Sequence, residues 1–543
     1  MTANVRPVPG GFGPSTYSAI TPFMCGACAF AEMRTAILAS TAGSGGFVYV
    51  LGWDGQPDTP MGGGQTFLEV LSDAAKRSIP VFALYNAPPN VATTNLQNIS
   101  NGLPPPVDVE MVKQIRVLPS SWAVTDNRVP QIDLHGFLVT LGLDSGPPNP
   151  RRANRGGPGA HHQKLVLVNS LAGLVAFVGG LDIVKDRVPM PGVPPPMHDV
   201  HLGIMGPGAT LLLDVFVKRW MDNPIAANKF PAKTSGNPVA SFVAQTKPWF
   251  FDSTVSVGTT YADRTTTALP PSQSLPSSGS RSAFTLFENL VNGARKFIYI
   301  EDQYLFGPHV AATLAQKLRS DRNVQIIMLT NWLGGAIDNE IPGCEFARAE
   351  FVRKLQAADP TGTRFAVFAL KAPANQAKAD AFGIYVHAKM SIADDAVAVV
   401  GSANANERGY GYDSEVVASV TTPRPTGQSL PQRLRLMLWE KHTGQTAQQL
   451  LAAPPNIATY KRANPGSMIE PYDVKLDVQR VWQARKDVFE GRVVINDPMT
   501  AMKVGSLLLV LGHNGVDYKN VDPSVDFPAS LRAAFYNYSD PGG

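Results

Sequence analysis

Apolar and polar positions repeat in the same order twice along the chain. In the first half, "FAEMRTAILAS" (30–40) has the 3.6-residue apolar period of a helix and runs into the β-branched, aromatic stretch "FVYVLGWDG" (47–55). A second helical period, "TFLEVLSDAAKRS" (66–78), then leads into "IPVFALYN" (79–86). The second half repeats this with "AFTLFENLVNGARK" before "FIYIEDQYLFG" (297–307), and "HVAATLAQKLRSDR" before "NVQIIMLTN". Helices alternating with short apolar strands predict a mostly parallel sheet covered by helices, here built twice. The stretch "TTTALPPSQSLPSSGSRS" (265–282) is rich in Pro and Ser and has no apolar period, so it reads as a linker. The chain then divides into a first half, 1–262, a linker, 263–283, and a second half with a C-terminal extension, 284–543. The Pro/Gly-rich stretches "NGLPPPVD" and "SGPPNPRRANRGGPGA" read as rims or solvated loops flanking the first half's chemistry.

Composition narrows this picture without redirecting it. With 543 residues, 44% hydrophobic and 17% charged, the chain can bury a large or duplicated core. A net charge of +4 excludes a strongly basic nucleic-acid binder and leaves room for a local basic pocket. The amino terminus lacks a basic start and apolar core, and "VGSLLLVLG" (504–512) is too short to span a bilayer. The expectation is a soluble protein, cytoplasmic as synthesised, with export by a route needing no cleavable signal left open. Of three cysteines, Cys25 and Cys28 form a lone CxxC, read as two small buried residues, with redox or metal ligation as the alternative.

The chemistry is carried by a pattern that also occurs twice. "AHHQKLVLVNS" (160–170) sets His162, Lys164 and Asn169 at the spacing that "YVHAKMSIADD" (385–395) gives His387, Lys389 and Asp394. Residues two apart on a strand share a face, so each His–Lys pair converges, and buried positive potential calls for an anionic ligand. Each run is followed by an apolar strand ending in small residues: Gly179 and Gly180 in "AFVGGLDI", Gly401, Ser402 and Asn404 in "AVAVVGSANANERG". Phosphodiester cleavage needs a nucleophile, an acid for the leaving oxygen and fixed positive charge. Two histidines and two lysines supply these, while Ser402 and Asn404 offer hydrogen bonds and the glycines permit close approach. No carboxylate-rich metal cluster is evident in the sequence, so no metal is expected in the site, although Asp182 could face a cation or serve a structural hydrogen bond.

The paired motifs resemble those of the phospholipase D superfamily over roughly residues 30–490. "MHDVHLGIMGPGA", "IYIEDQY", "GSANANERG", "DSEV" and "RLRLMLWEKHTG" are similar to its eukaryotic-type branch. The resemblance implies an α/β fold of two similar halves whose mixed sheets pack as a pseudo-twofold internal dimer in a monomer. It implies that His162 attacks phosphorus, that His387 protonates the leaving alcohol, and that Lys164 and Lys389 hold the phosphate. Asp199 would orient His162 and Glu415 would orient His387. Asn169, Asp394, Gly179, Gly180, Ser402 and Asn404 would bind phosphate or support the motifs. Asn169 departs from the family's aspartate, so lower stability or a shifted optimum is expected. The implied activity is phospholipase D hydrolysis at a membrane surface through a phosphohistidine, with water or an alcohol as acceptor and phosphatidic acid as product. No cofactor is required, calcium is at most a stimulant, and no nucleic acid is expected. The alternatives are a nuclease or other phosphodiesterase of the superfamily, or a degenerate lipid-binding member.

Overall fold

The computed structural model describes residues 17–86, 107–126, 128, 159–190, 197–229, 250–265, 269, 271–305, 307–333, 344–371, 383–423, 427–462 and 464–489. The amino-terminal 16 residues, most of both Pro/Gly-rich insertions and the run 504–512 lie outside the described residues. Local sequence sets the elements it does describe. Helix Phe67–Lys76 starts where Thr66 and Glu69 cap each other's backbone amides, and it buries Phe67, Val70, Leu71, Ala74 and Ala75 along one stripe.

Among the described residues sixteen strands form one sheet. In the first repeat, β1 (Ser18–Phe23), β2 (Phe47–Gly52), β3 (Val81–Asn86), β4 (Trp122–Asp126), β5 (Leu165–Ser170), β6 (Gly173–Gly179) and β7 (His201–Met205) lie in the order β4-β3-β2-β5-β6-β7-β1. Strands β8 (Phe250–Tyr261), β9 (Ser280–Arg281), β10 (Phe297–Asp302), β11 (Gln325–Thr330), β12 (Phe365–Leu370), β13 (Lys389–Ala393), β14 (Val397–Gly401), β15 (Glu415–Thr421) and β16 (Ile469–Pro471) make the second. Its order runs β8-β15-β14-β13-β10-β11-β12-β16, with β9 beside β8. In both repeats three parallel strands continue into antiparallel ones, and the repeats join where β1 pairs antiparallel with β8.

β8 therefore takes in the second repeat the place that β1 takes in the first, although the division at residue 262 assigns it to the first half. Its Ser/Thr-rich sequence does not mark its partner, and the Pro/Ser stretch follows it instead of preceding it. That stretch is also no loose tether. Ser280 pairs with Tyr261, and its hydroxyl bonds with those of Thr259 and Ser282.

Strand alternation sorts the core. Phe47, Tyr49 and Leu51 face the central core between the repeats, while Val48 and Val50 face outward onto helices Gly26–Leu38 and Phe67–Lys76. Helices Ser282–Gly293, Pro308–Ser320 and Cys344–Ala358 cover the second repeat in the same way. Across the central core β6 and β7 lie against β14 and β15. No helix among the described residues is long and apolar enough to cross a membrane. Cys25 and Cys28 are joined in a disulfide, with Cys28 exposed, so the expectation of two small buried residues is corrected.

Candidate active site

Both His–Lys motifs sit just ahead of a central strand, and each is clamped by a segment of the other repeat. His161 bridges Ser414, with His162 N–H donating to the Ser414 carbonyl (2.9 Å). Likewise His198 bridges Val386, and His387 N–H donates to the His198 carbonyl (2.7 Å). The histidines precede the strand proper, because β5 begins at Leu165 and β13 at Lys389. Each lysine still turns back to its motif: Lys164 Nζ donates to the His162 carbonyl (3.0 Å), and Lys389 Nζ to that of His387 (2.5 Å).

These crossings fix the carboxylates and correct their assignment. Glu415 Oε1 lies 2.8 Å from His162 Nδ1, and Asp199 Oδ2 lies 2.8 Å from His387 Nδ1, the reverse of the pairing that motif order suggests. Segment 197–199 runs beside 385–387, and 413–415 beside 160–162, so each carboxylate reaches the histidine of the opposite repeat. The glycines make room for this exchange. A Cβ on Gly180 would stand 2.1 Å from Asp199 Oδ1, and one on Gly401 2.3 Å from the Val416 carbonyl oxygen. Gly179 would likewise meet the Val200 carbonyl at 2.4 Å. Ser402 braces Glu415 through its hydroxyl, and its carbonyl lies 3.1 Å from His162 Nδ1.

A carbonyl oxygen only accepts. Nδ1 of His162 therefore carries the hydrogen and its Nε2 keeps a lone pair. Among the described residues His387 has no second acceptor on Nδ1, and burial pushes its partner Asp199 up to about 7. Burial also raises Glu415, against the pull of Lys164. Burial, then Lys164, Lys389 and Arg408, hold His162 well below the ordinary imidazole range. Burial, then Lys389, Arg187, Lys164 and His162, do the same to His387. Lys389 is itself pushed down to about 7, chiefly by burial, and its side-chain partner is the neutral Gln303 Oε1 (3.0 Å). Lys164 instead meets Asp182 at 3.2 Å. Asp182 also accepts the amides of Trp53 and Asp54, so it serves structure and a lysine.

His162, His387 and Asn404 share a cavity of about 360 Å³ with Trp53, Arg187, Gln303, Tyr304, Tyr385, Asn406 and Arg408. Arg187 and Arg408 line this cavity with Asp186 and Asp413, while Lys164 and Lys389 do not line it and bond to the carbonyls of His162 and His387. An anion reached by both imidazoles would there meet two guanidinium groups. Asn169 and Asp394 do not line this cavity. Asn169 Nδ2 donates to the Gly45 carbonyl (3.0 Å), while Asp394 accepts the amides of Arg295, Lys296 and Phe297 (2.6, 2.9 and 2.9 Å). Both tie the far end of a motif strand to the entry of its neighbour.

Sequence reasoning missed the walls. Trp53 sets its ring edge-on to His162 (6.2 Å between centroids), and Tyr385 accepts from Gln303 Nε2 (2.6 Å). Trp53 and Gln303 follow directly on parallel strands β2 and β10, whose carboxyl ends are where α/β sheets place ligands, so the signal was present. Arg187 ends the 3-10 turn Lys185–Arg187 and Arg408 opens the π-helical turn Arg408–Tyr412, and neither carries a comparable mark.

The family described as Phospholipase D matches residues 360–468. Phospholipase D beta 1 of Arabidopsis thaliana is 23% identical over 405 residues, covering 52% of this chain and 37% of that protein. Phospholipase D alpha 1 of Brassica oleracea var. capitata is 21% identical over 478 residues, covering 66% of this chain and 58% of that one. The chain thus spans about half the length of the curated relatives it matches. In fold it is similar to the phosphatidylserine synthase of Haemophilus influenzae Rd KW20, with a TM-score of 0.50 and 13% identity over 88% of this chain and 95% of that one.

Proposed function

Because the chain belongs to the phospholipase D superfamily, we propose that it transfers the phosphatidyl group of a glycerophospholipid to water or an alcohol through a phosphohistidine. The observation that carries this reading is one cavity in which two histidines from two repeats each hold Nδ1 on a carboxylate of the other. His162 Nε2 attacks phosphorus, and the P–O bond to the head group breaks as that oxygen takes a proton from the His387–Asp199 pair. Water or an alcohol then attacks phosphorus and the P–N bond to His162 breaks while the pair takes its proton, giving phosphatidic acid or a new phosphodiester and restoring His162. Lys164, Lys389, Arg187 and Arg408 hold the phosphate charge, and Asn404 faces it as a hydrogen-bonding group. This division needs no metal, so chelation is expected to leave turnover of a soluble diester unchanged. Calcium would act through the lipid surface.

Phosphatidylcholine vesicles with a little primary alcohol, followed by choline release and product mass, test the reading. Wild type should give both phosphatidic acid and the alcohol-exchanged lipid, and His162→Ala neither. Nicked plasmid without head-group release would overturn the lipid assignment.

A further inference from the structure

The Cys25–Cys28 disulfide has no part in this chemistry, yet it stands on a bonded path to it. Cys25 caps helix Gly26–Leu38, its Sγ accepting the Cys28 amide (3.2 Å), while Cys28 is exposed at the helix start. The preceding residue, Met24, offers its carbonyl to Lys441 Nζ (3.1 Å), and the same ammonium lies 3.1 Å from His198 Nδ1. His198 in turn donates its amide to the Tyr385 carbonyl (2.8 Å), accepts the His387 amide on its own carbonyl, and adjoins Asp199. A disulfide closing so short a loop gains little from chain constraint, which leaves exchange as its more telling property.

We propose that Cys25–Cys28 is a thiol-exchange site for small dithiols, and that its redox state sets the placement of the His387–Asp199 pair through Met24, Lys441 and His198. Exposure decides which sulfur is attacked. A dithiol thiolate bonds to Cys28 Sγ, the Sγ–Sγ bond breaks, and Cys25 leaves as a thiolate held by the Cys28 amide at the helix N-terminus before taking a proton from water. The reagent's second thiolate then displaces Cys28 and departs as a cyclic disulfide, passing two electrons to the protein. Without the bridge, the Met24 carbonyl is no longer pinned, and Lys441 loses its fixed anchor on the side of His198.

The whole folded chain is treated with graded dithiothreitol, quenched with an alkylating reagent and mapped by peptide mass. Cys25 and Cys28 should become labelled together under native conditions. Protection of both until denaturant is added would overturn the exchange site. The rate on an alkyl phosphodiester should fall about tenfold on reduction, within the ~10²-fold that a 1 Å misplacement can cost. An aryl diester, whose phenolate needs no acid, should change less than about twofold. General loss of structure would lower both. In Lys441→Met the alkyl rate should no longer respond to reduction, and an unchanged response in that variant, or an unchanged alkyl rate in reduced wild type, would overturn the path. The alkyl and aryl rates rest on the proposed phosphodiester chemistry. If neither diester turns over in either redox state, that chemistry fails, while the alkylation pattern still decides the exchange site.

Discussion

Asp199 and Glu415 can be told apart by the leaving group, because each serves a different histidine. Asp199→Asn removes the carboxylate behind the proposed acid, so an alkyl phosphodiester should slow by about 10²–10⁴-fold and an aryl one far less. Glu415→Gln acts on the proposed nucleophile and should slow both alike. Steady-state rates on the two diesters check this, and the opposite pattern would favour the pairing read from motif order. Lys389, pushed down to about 7 by burial, keeps its charge below that pH and loses it above. Sulfate, whose own charge is constant here, should therefore bind more weakly as pH rises through 7, where Lys389 loses its charge and Asp199 gains one. Isothermal titration should find that slope flattened in Lys389→Arg, since a guanidinium stays charged. The histidines and lysines were legible because a fixed spacing on contiguous residues carries them. The carboxylates Asp199 and Glu415 were legible from their motifs, but not which histidine each serves, since pairing depends on which distant segments run side by side. No residue type signals that Met197–Asp199 lies along Tyr385–His387.

At the level of elements, the helices and parallel strands followed from periodicity, because burying one face of each is what forms them. β8 and β9 did not, because a Ser/Thr-rich strand owes its place to ladder partners instead of an apolar face. The family's aspartate at position 169 is the sharper lesson. Asn169 is buried and donates to the Gly45 carbonyl, where Asp394 in the other repeat accepts three amides. Asn169→Asp would set a carboxylate oxygen against a carbonyl. It should cost about 1–3 kcal/mol of stability while leaving turnover per folded molecule unchanged. Burial would raise the new carboxyl, and once protonated it can donate again. Thermal unfolding should thus find the loss greater at pH 8 than at pH 5. A variant more stable than wild type at pH 8 would restore the expectation that asparagine weakens the motif.

Over the whole molecule, the exchange of carboxylates makes neither repeat chemically complete. A chain broken between residues 229 and 250 leaves β1–β7 with His162 and Asp199, and β8–β16 with His387 and Glu415. Each fragment expressed alone should form no phosphohistidine, and coexpression should restore it. Denaturing separation at alkaline pH, where a P–N bond survives, would distinguish the ³²P-labelled adduct from bound substrate, and labelling of the first fragment alone would show that His162 needs nothing from the second repeat. The same crossing has a consequence during synthesis. Glu415 leaves the ribosome 415 − 162 = 253 residues after His162, which at ~5–20 residues per second is about 13–50 s later. Through that interval the nascent chain carries the imidazole proposed to attack without the carboxylate that orients it. The proposed phosphodiesterase is thereby kept inert until synthesis has passed Glu415 in the second repeat, with translation itself serving as the timer.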